Sequence, residues 1–226
     1  MLILGIDTSG KTGGVTLAEA GEHEFRALSS STIEGGTFSA QLVPTVAALL
    51  KKTTLGIRDV EGFAAVSGPG SFTGLRVGLS AVKGLAEVLH KPIATVSLLE
   101  ALATSSPQSG KVIAALDAGR SEVFYGLYEV EDGNAICLNE QLLSANEFAE
   151  QARNPEIALT LTSDPALAEK LAATGLQTRL IERPDSRLIA RIGALKLMAG
   201  QTISVEALDA NYLRRSDAEI FFKGNR

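Results

Sequence analysis

The sequence predicts an α/β protein built from two related halves, each with the element order βββαβα. The first observation is a continuous apolar run, residues 2–6, that ends in Asp7, and a second such run, residues 112–116, that ends in Asp117. Runs of this kind are typical of central strands that are buried on both faces. The second observation is that a hairpin pattern and then a helix, a strand and a helix follow each run. We therefore predict a duplicated fold with two lobes, residues 1–106 and residues 107–226.

The elements of the first half follow from periodicity and from turn and cap residues. Residues 13–18 and 24–28 alternate around a polar, glycine-containing turn, which predicts a hairpin. Pro44 is expected to kink the first helix or to delay its start. Ser97 is a favourable N-cap for a short third helix. The predicted ranges after the hairpin are 39–52 (helix), 62–66 (strand), 73–90 (helix), 93–96 (strand) and 98–104 (helix).

A serine-rich linker at residues 105–110 precedes the second half, in which the same order of patterns returns. A turn at residues 131–134 separates its second and third strands. The predicted ranges are 112–116 and 122–128 (strands), a strand after residue 134, 145–152 (helix), 157–162 (strand), 165–173 (helix), 177–181 (strand) and 186–199 (helix).

Composition limits the classes of function. The chain has 226 residues, a formal net charge of −5 and a pI of about 5.2, which argues against a stand-alone nucleic-acid binder. Its single cysteine, Cys137, excludes an internal disulfide and a cysteine-based zinc site. The start of the chain has the pattern of a strand rather than of a signal peptide, and no apolar run has the ~18 residues of a membrane helix. We expect a cytoplasmic protein.

The most unusual segment is the glycine-rich turn at residues 67–78, between a predicted strand and the longest predicted helix. Such a layout often directs backbone N–H groups at a phosphate. However, no Lys-Ser/Thr pair follows its glycines, which excludes a P-loop. Thr73 stands where the dinucleotide fingerprint requires its third glycine, and Pro69 removes a donor. The turn therefore has the shape of a phosphate loop without its functional parts.

The two lobes resemble the actin/Hsp70/sugar-kinase architecture, and four motifs resemble the TsaB (YeaZ) family in particular. The resemblance spans the whole chain and is strongest over residues 1–125. The motifs are Ile-Leu-Gly-Ile-Asp-Thr-Ser at 3–9, the glycine-rich turn at 68–78, Ala-Leu-Asp-Ala at 115–118 with Glu-Val-Phe at 122–124, and Tyr-Leu-Arg at 212–214.

The resemblance implies a function in protein assembly rather than in catalysis. TsaB proteins are non-catalytic paralogues of TsaD, the subunit that modifies adenosine 37 of tRNA to threonylcarbamoyladenosine. A TsaB-like chain would pair with and activate a TsaD-like subunit through its first lobe, and a TsaE-like ATPase would join them. It would form a homodimer when alone and meet tRNA only through the complex. No catalytic residue, metal or cofactor is expected on the chain itself.

The alternative is a small actin-fold kinase or phosphotransferase that uses Asp7 and Asp117. Carboxylates at strand ends position Mg²⁺-nucleotide in such enzymes, but they also accept hydrogen bonds from the turn that follows. The second lobe lacks glycine between residues 158 and 167, where an adenosine loop would need close backbone approach. The two histidines, His23 and His90, do not form a metal-binding pair. We therefore favour the accessory role.

The predicted partner surface lies on the helices at residues 39–52 and 73–90. The second helix has a polar stripe, an apolar stripe that faces the sheet, and a third face of small apolar residues that another backbone could approach closely. Either the first helix of the same lobe or a second chain fills that face. The residues predicted at the interface are Phe72, Thr73, Gly74, Arg76, Val77, Gly78 and Ala81.

Overall fold

The structure is a computed structural model that describes residues 1–22, 24–211 and 213. His23, Tyr212 and Arg214, which entered the sequence analysis, lie outside the described residues. The strands and helices follow one another in the predicted order. The strands are β1 (Leu2–Asp7), β2 (Thr12–Ala20), β3 (Phe25–Glu34), β4 (Gly62–Gly68), β5 (Ile93–Ser97), β6 (Gly110–Gly119), β7 (Glu122–Glu131), β8 (Asn134–Ser144), β9 (Ile157–Thr162) and β10 (Thr178–Leu180). The helices are α1 (Phe38–Lys52), α2 (Phe72–Leu89), α3 (Leu98–Thr104), α4 (Ala145–Ala152), α5 (Pro165–Ala173) and α6 (Ser186–Met198).

The two sheets have the same topology, which confirms the predicted duplication. The first has the strand order β3-β2-β1-β4-β5, and the second has the corresponding order β8-β7-β6-β9-β10. In each sheet the first strand pairs antiparallel with the second and parallel with the fourth, and the fourth pairs parallel with the fifth. β1 and β6 are thus equivalent central strands, as their apolar runs predict.

The described residues form two compact units, and each contains one sheet. The first comprises Met1–Leu98 and Pro184–Ala210, and the second begins at Leu99 and includes all elements up to Arg183. This division differs from the expected boundary between residues 106 and 107. The reason is that the third helix of each repeat belongs to the other unit: α3 contributes Leu99 and Leu102 to a core cluster of the second sheet, while α6 contacts the first sheet.

Helices cover both faces of the first sheet, and adjacent residues of β2 show this directly. A Cβ atom at Gly13 would meet the ring of Phe38 on α1, whereas one at Gly14 would meet Ser186 on α6. On the α6 side, the Thr16 hydroxyl lies 2.8 Å from the Ser186 hydroxyl. α1 begins at Phe38 and continues through Pro44, so of the two expectations for Pro44, a kink or a late start of the helix, the late start is wrong.

Close backbone contact lets α6 lie flat on β1 and β4. A Cβ atom at Gly193 would overlap the Cβ of Ala64, and one at Gly5 would lie 2.6 Å from the Cβ of Ala190. Carbon atoms normally touch at about 3.5–4.0 Å. Neither glycine could therefore carry a side chain without moving the helix away from the sheet.

The second sheet is covered in an equivalent way. One face packs against α3 through a cluster that includes Tyr128 and Leu161. The other face packs against α4 and α5, which contribute Phe148 and Leu167.

Candidate functional site

The glycine-rich turn connects β4 to α2 and packs against the loop that follows β1. The Ser71 N–H donates to the carbonyl oxygen of Ser9 at 2.8 Å. Ser71 also caps α2, because its hydroxyl oxygen accepts from the Gly74 N–H at 3.3 Å. A Cβ atom at Gly70 would lie 2.7 Å from the Cβ of Ser9. Glycine is needed here because another segment of the first unit occupies the space.

Gly74 and Gly78 are buried at the start of α2 against the end of β1. A Cβ atom at Gly74 would overlap the Thr8 carbonyl oxygen, and one at Gly78 would overlap the Thr8 hydroxyl. That hydroxyl donates to the Gly74 carbonyl oxygen at 2.7 Å. The expectation that these two glycines leave an open face for another backbone is therefore wrong, because Thr8 fills it.

The other predicted interface residues lie at or near the surface of α2. Thr73 and Arg76 are exposed, Val77 and Ala81 are half-buried, and Phe72 is 38% exposed. The guanidinium carbon of Arg76 lies 3.8 Å from the centre of the Phe72 ring, which is a cation–π contact. Five of the seven predicted residues thus share the accessible side of one helix.

Two exposed valines lie on α1 and α2. Val43 on α1 is 64% exposed and Val88 on α2 is 76% exposed, and the two helices contact each other. Neither valine is among the residues that the sequence predicts at the interface. A signal was present in the sequence, since no charged residue occurs on α1 before Lys51. We call Val43, Phe72, Arg76, Val77, Ala81 and Val88 the α1–α2 surface.

The two strand-end aspartates bond to the turns that follow them. The Asp7 carboxylate is buried and accepts from the N–H of Ser9 at 2.8 Å and from its hydroxyl at 2.5 Å. The Asp117 carboxylate is exposed and accepts from the Gly119 N–H at 3.1 Å. The Asp7 carboxylate thus accepts hydrogen bonds from the turn that follows it, which is the structural role that the sequence analysis weighed against a role in a kinase site.

A cavity of about 500 Å³ lies beside the Asp7 turn, within the first unit. Its lining consists of Ser9, Gly10, Lys11, Gly35, Gly36 and Ser71. These residues offer hydroxyl groups, an ammonium group and glycine backbone, which are groups that hydrogen-bond an anion. The buried Asp7 carboxylate is not among the lining residues.

Over residues 1–22, 24–211 and 213, no cluster of three or more His, Cys, Asp or Glu side chains is arranged to bind a metal ion. None of the helices in this part of the chain combines the length and hydrophobicity of a bilayer-spanning segment.

The comparison with protein families gives one match over most of the chain. The family model for TsaD, described as tRNA N6-adenosine threonylcarbamoyltransferase, matches residues 34–205.

Curated relatives match over nearly their whole length. The tRNA threonylcarbamoyladenosine biosynthesis protein TsaB of Bacillus subtilis is 28% identical, and the alignment covers 97% of this chain and 96% of that protein. The protein of the same name from Haemophilus influenzae is 26% identical over 95% of this chain and 94% of its own.

Solved structures agree with these relatives. YeaZ from Pseudomonas aeruginosa superposes with a TM-score of 0.76 at 25% identity, over 93% of this chain and 99% of that one. A second structure, described as an uncharacterized protein with similarity to peptidase YeaZ from Pseudomonas aeruginosa, gives a TM-score of 0.77 at 26% identity, over 94% and 99%. The duplicated sheets, the glycine-rich turn against β1 and these full-length matches agree that the chain belongs to the TsaD family and, within it, to the TsaB (YeaZ) proteins.

Proposed function

We propose that this chain takes part in the biosynthesis of tRNA threonylcarbamoyladenosine as an accessory subunit that pairs with and activates a TsaD-like transferase. Support for the pathway comes from the curated TsaB relatives, whose names state it and whose sequences match almost end to end. Support for the pairing comes from the α1–α2 surface. The single observation that carries it is the exposure of large apolar side chains on two neighbouring helices of the first unit.

The chemistry of the α1–α2 surface suits a protein partner. Full burial of Val43 or Val88 by a partner would favour association by about 1.5–3 kcal/mol for each side chain. Phe72 and Arg76 add an aromatic ring and a guanidinium group, which are over-represented in interface cores. Gly74 and Gly78 would contribute indirectly, since they hold α2 close to Thr8.

The remaining partners follow from the same proposal. In the absence of a transferase, two copies of the chain would associate through the α1–α2 surface and form a homodimer. A TsaE-like ATPase would join the heteromeric pair, and tRNA would bind to the assembly rather than to this acidic chain alone. The isolated chain would have no transferase activity.

Pull-down of a TsaD-like protein by the tagged chain tests the pairing. Val43→Glu and Val88→Glu each place a charge on the surface without disturbing the core, because both side chains are exposed. A buried, unpaired carboxylate costs about 3–5 kcal/mol, so we expect at least a hundredfold weaker pairing. Leu180→Glu on β10 is the matched control, because Leu180 is 49% exposed in the second unit. Unchanged pairing of both valine variants, with the fold intact, would contradict the proposed surface.

ATP turnover by the purified isolated chain tests the alternative function as a kinase. We expect the isolated chain to show no ATP turnover above that of Asp7→Ala. Turnover that disappears in this variant would favour phosphoryl transfer over the accessory role.

A further inference from the structure

β5 is an edge strand of the first sheet, and alternate residues direct their backbone groups away from the sheet. It ends the strand order and pairs parallel with β4 on its inner side. The Phe63 N–H of β4 donates to the Pro92 carbonyl oxygen at 3.0 Å. Because alternate residues of a parallel strand bond to the same neighbour, the N–H and C=O groups of Ile93 and Thr95 point outward. Such groups are a template for pairing with another chain.

Both outward carbonyl groups accept hydrogen bonds from the last part of the first unit. The Ile203 N–H donates to the Ile93 carbonyl oxygen at 2.9 Å, in an isolated antiparallel bridge. The Lys196 ammonium group, in the last turn of α6, donates to the Thr95 carbonyl oxygen at 3.0 Å. Hydrogen bonds with a charged partner are stronger than neutral ones. The two donors thus occupy positions that a neighbouring strand would otherwise use.

The segment that follows α6 passes along this edge. We call residues 199–210 the strap. Hydrogen bonds from the backbone N–H of Glu206 and from the Ser204 hydroxyl lower the pKa of the Glu206 carboxyl, desolvation raises it, and the charge of Lys83 on α2 lowers it. Leu208 is buried. The strap therefore runs from α6, on one face of the sheet, past β5 to α2, which contacts α1 on the other face.

The sequence of β5 contains none of the residues that usually protect an edge strand. Its five residues, Ile-Ala-Thr-Val-Ser, include no charged residue and no proline. Charged side chains and proline are common devices against edge-to-edge pairing. Ile93 and Val96 are fully buried. The protection of this apolar strand therefore comes from outside it, through Lys196 and Ile203.

We propose that the strap and Lys196 form a guard that keeps β5 from pairing with a second copy of the chain. When the guard is released, two copies associate through antiparallel pairing of their β5 edges. This role does not depend on the proposed pairing with a transferase, because the bonds that carry it lie on β5, α6 and the strap rather than on the α1–α2 surface.

Two substitutions remove one donor each. Lys196→Met keeps the length of the side chain without its ammonium group, and Ile203→Pro removes the backbone N–H. Lys170→Met is a matched control, since Lys170 is exposed in the last turn of α5. Ile203→Val is the second control and keeps the N–H. All four are made in the full chain with Val88→Glu, so that association through the α1–α2 surface does not contribute.

Hydrogen exchange of backbone amides measures release of the strap, and sedimentation velocity measures association. We expect Lys196→Met and Ile203→Pro each to raise the exchange rates at residues 200–208 by at least about fivefold. Between about 1 and 100 μM protein, the average mass of both variants should rise by at least about 1.5-fold. The amides of Ile93 and Thr95 should become protected as association increases, because they would donate across the new strand pair. Neither control should show these changes.

Each outcome decides the proposal. Exchange rates of the strap that stay unchanged in both variants, while circular dichroism shows the native fold, would overturn it. Faster exchange without association also overturns it, as does association that leaves Ile93 and Thr95 unprotected. If one variant does not fold, the other decides by the same criteria. Release of the strap together with association through β5, in the folded variants and in neither control, supports the proposal.

Discussion

Replacement of Gly193 by alanine is a sensitive test of how α6 packs on the first sheet. Alanine at an ordinary helix position is favoured over glycine by about 0.8–1.0 kcal/mol. At Gly193, however, the added Cβ would overlap the Cβ of Ala64 and lie 3.3 Å from its Cα. We therefore expect Gly193→Ala to destabilise the protein although it raises helix propensity.

The size of the effect follows from two opposing contributions. One extra carbon forced into a packed contact costs about 1–3 kcal/mol, because the neighbouring backbone has to move. Subtraction of the propensity gain leaves a net loss of up to about 2 kcal/mol. Ala64→Gly removes the overlapping carbon, so the double variant should recover part of this loss and show a coupling free energy of about 1 kcal/mol.

The matched control is Gly84→Ala on α2, where a Cβ atom would have no neighbour within 4 Å. It should stabilise the protein by about 0.5–1 kcal/mol. Urea unfolding followed by circular dichroism measures the unmodified protein and the four variants under the same conditions. The reasoning is refuted if Gly193→Ala is as stabilising as Gly84→Ala.

Two further substitutions test the start of α2 and the start of α6. Gly78→Ala should lower the free energy of unfolding by up to about 2 kcal/mol, because its overlap with Thr8 outweighs the gain in helix propensity, and unchanged stability with lost pairing would instead place Gly78 at the interface. Asp185 caps α6 by accepting from the Arg187 N–H at 2.9 Å. Partial burial raises its pKa, but hydrogen bonds from the Arg187 side chain and from the Leu188 and Arg187 backbone together lower it below its ordinary value. Its charge therefore stabilises the fold fully above the unfolded-state pKa of ~3.9, and this stabilisation is lost as the pH falls through the folded-state pKa. Asp185→Asn keeps the cap and should lose less stability between about pH 7 and pH 3; an equal loss in both proteins would contradict this role.

The elements and their order could be predicted because local patterns determine them. The apolar runs before Asp7 and Asp117 identified the central strands, and Ser97 marked the start of α3 at Leu98. Sheet order followed from the duplicated pattern. Contacts between distant segments could not be predicted in this way, since nothing near Gly193 in sequence indicates that Ala64 lies against it.

Residues of the candidate site could be predicted only where the periodicity of a single helix indicates which side chains are exposed. The polar and aromatic residues of α2, such as Phe72 and Arg76, are accessible as expected. Gly74 and Gly78 share the spacing of an open face, but the end of β1 fills it, and a single sequence does not reveal that contact. The spacing of these small residues correctly indicated that another segment packs closely against α2, but it did not indicate which segment.

The exchange of α3 and α6 between the two repeats has a consequence for synthesis on the ribosome. The first sheet is complete once Ser97 has been made, but the helix that covers one of its faces ends at Met198, about a hundred residues later. At ~5–20 residues per second, the nascent chain waits roughly 5–20 s with the apolar side chain of Ile3 and its neighbours uncovered. A ribosome that stops within residues 99–183 would release a product whose first sheet has one bare face, which is a strong stimulus for aggregation. Although the first repeat is made first, the first unit is therefore completed only after residues 99–183 of the second unit have been made.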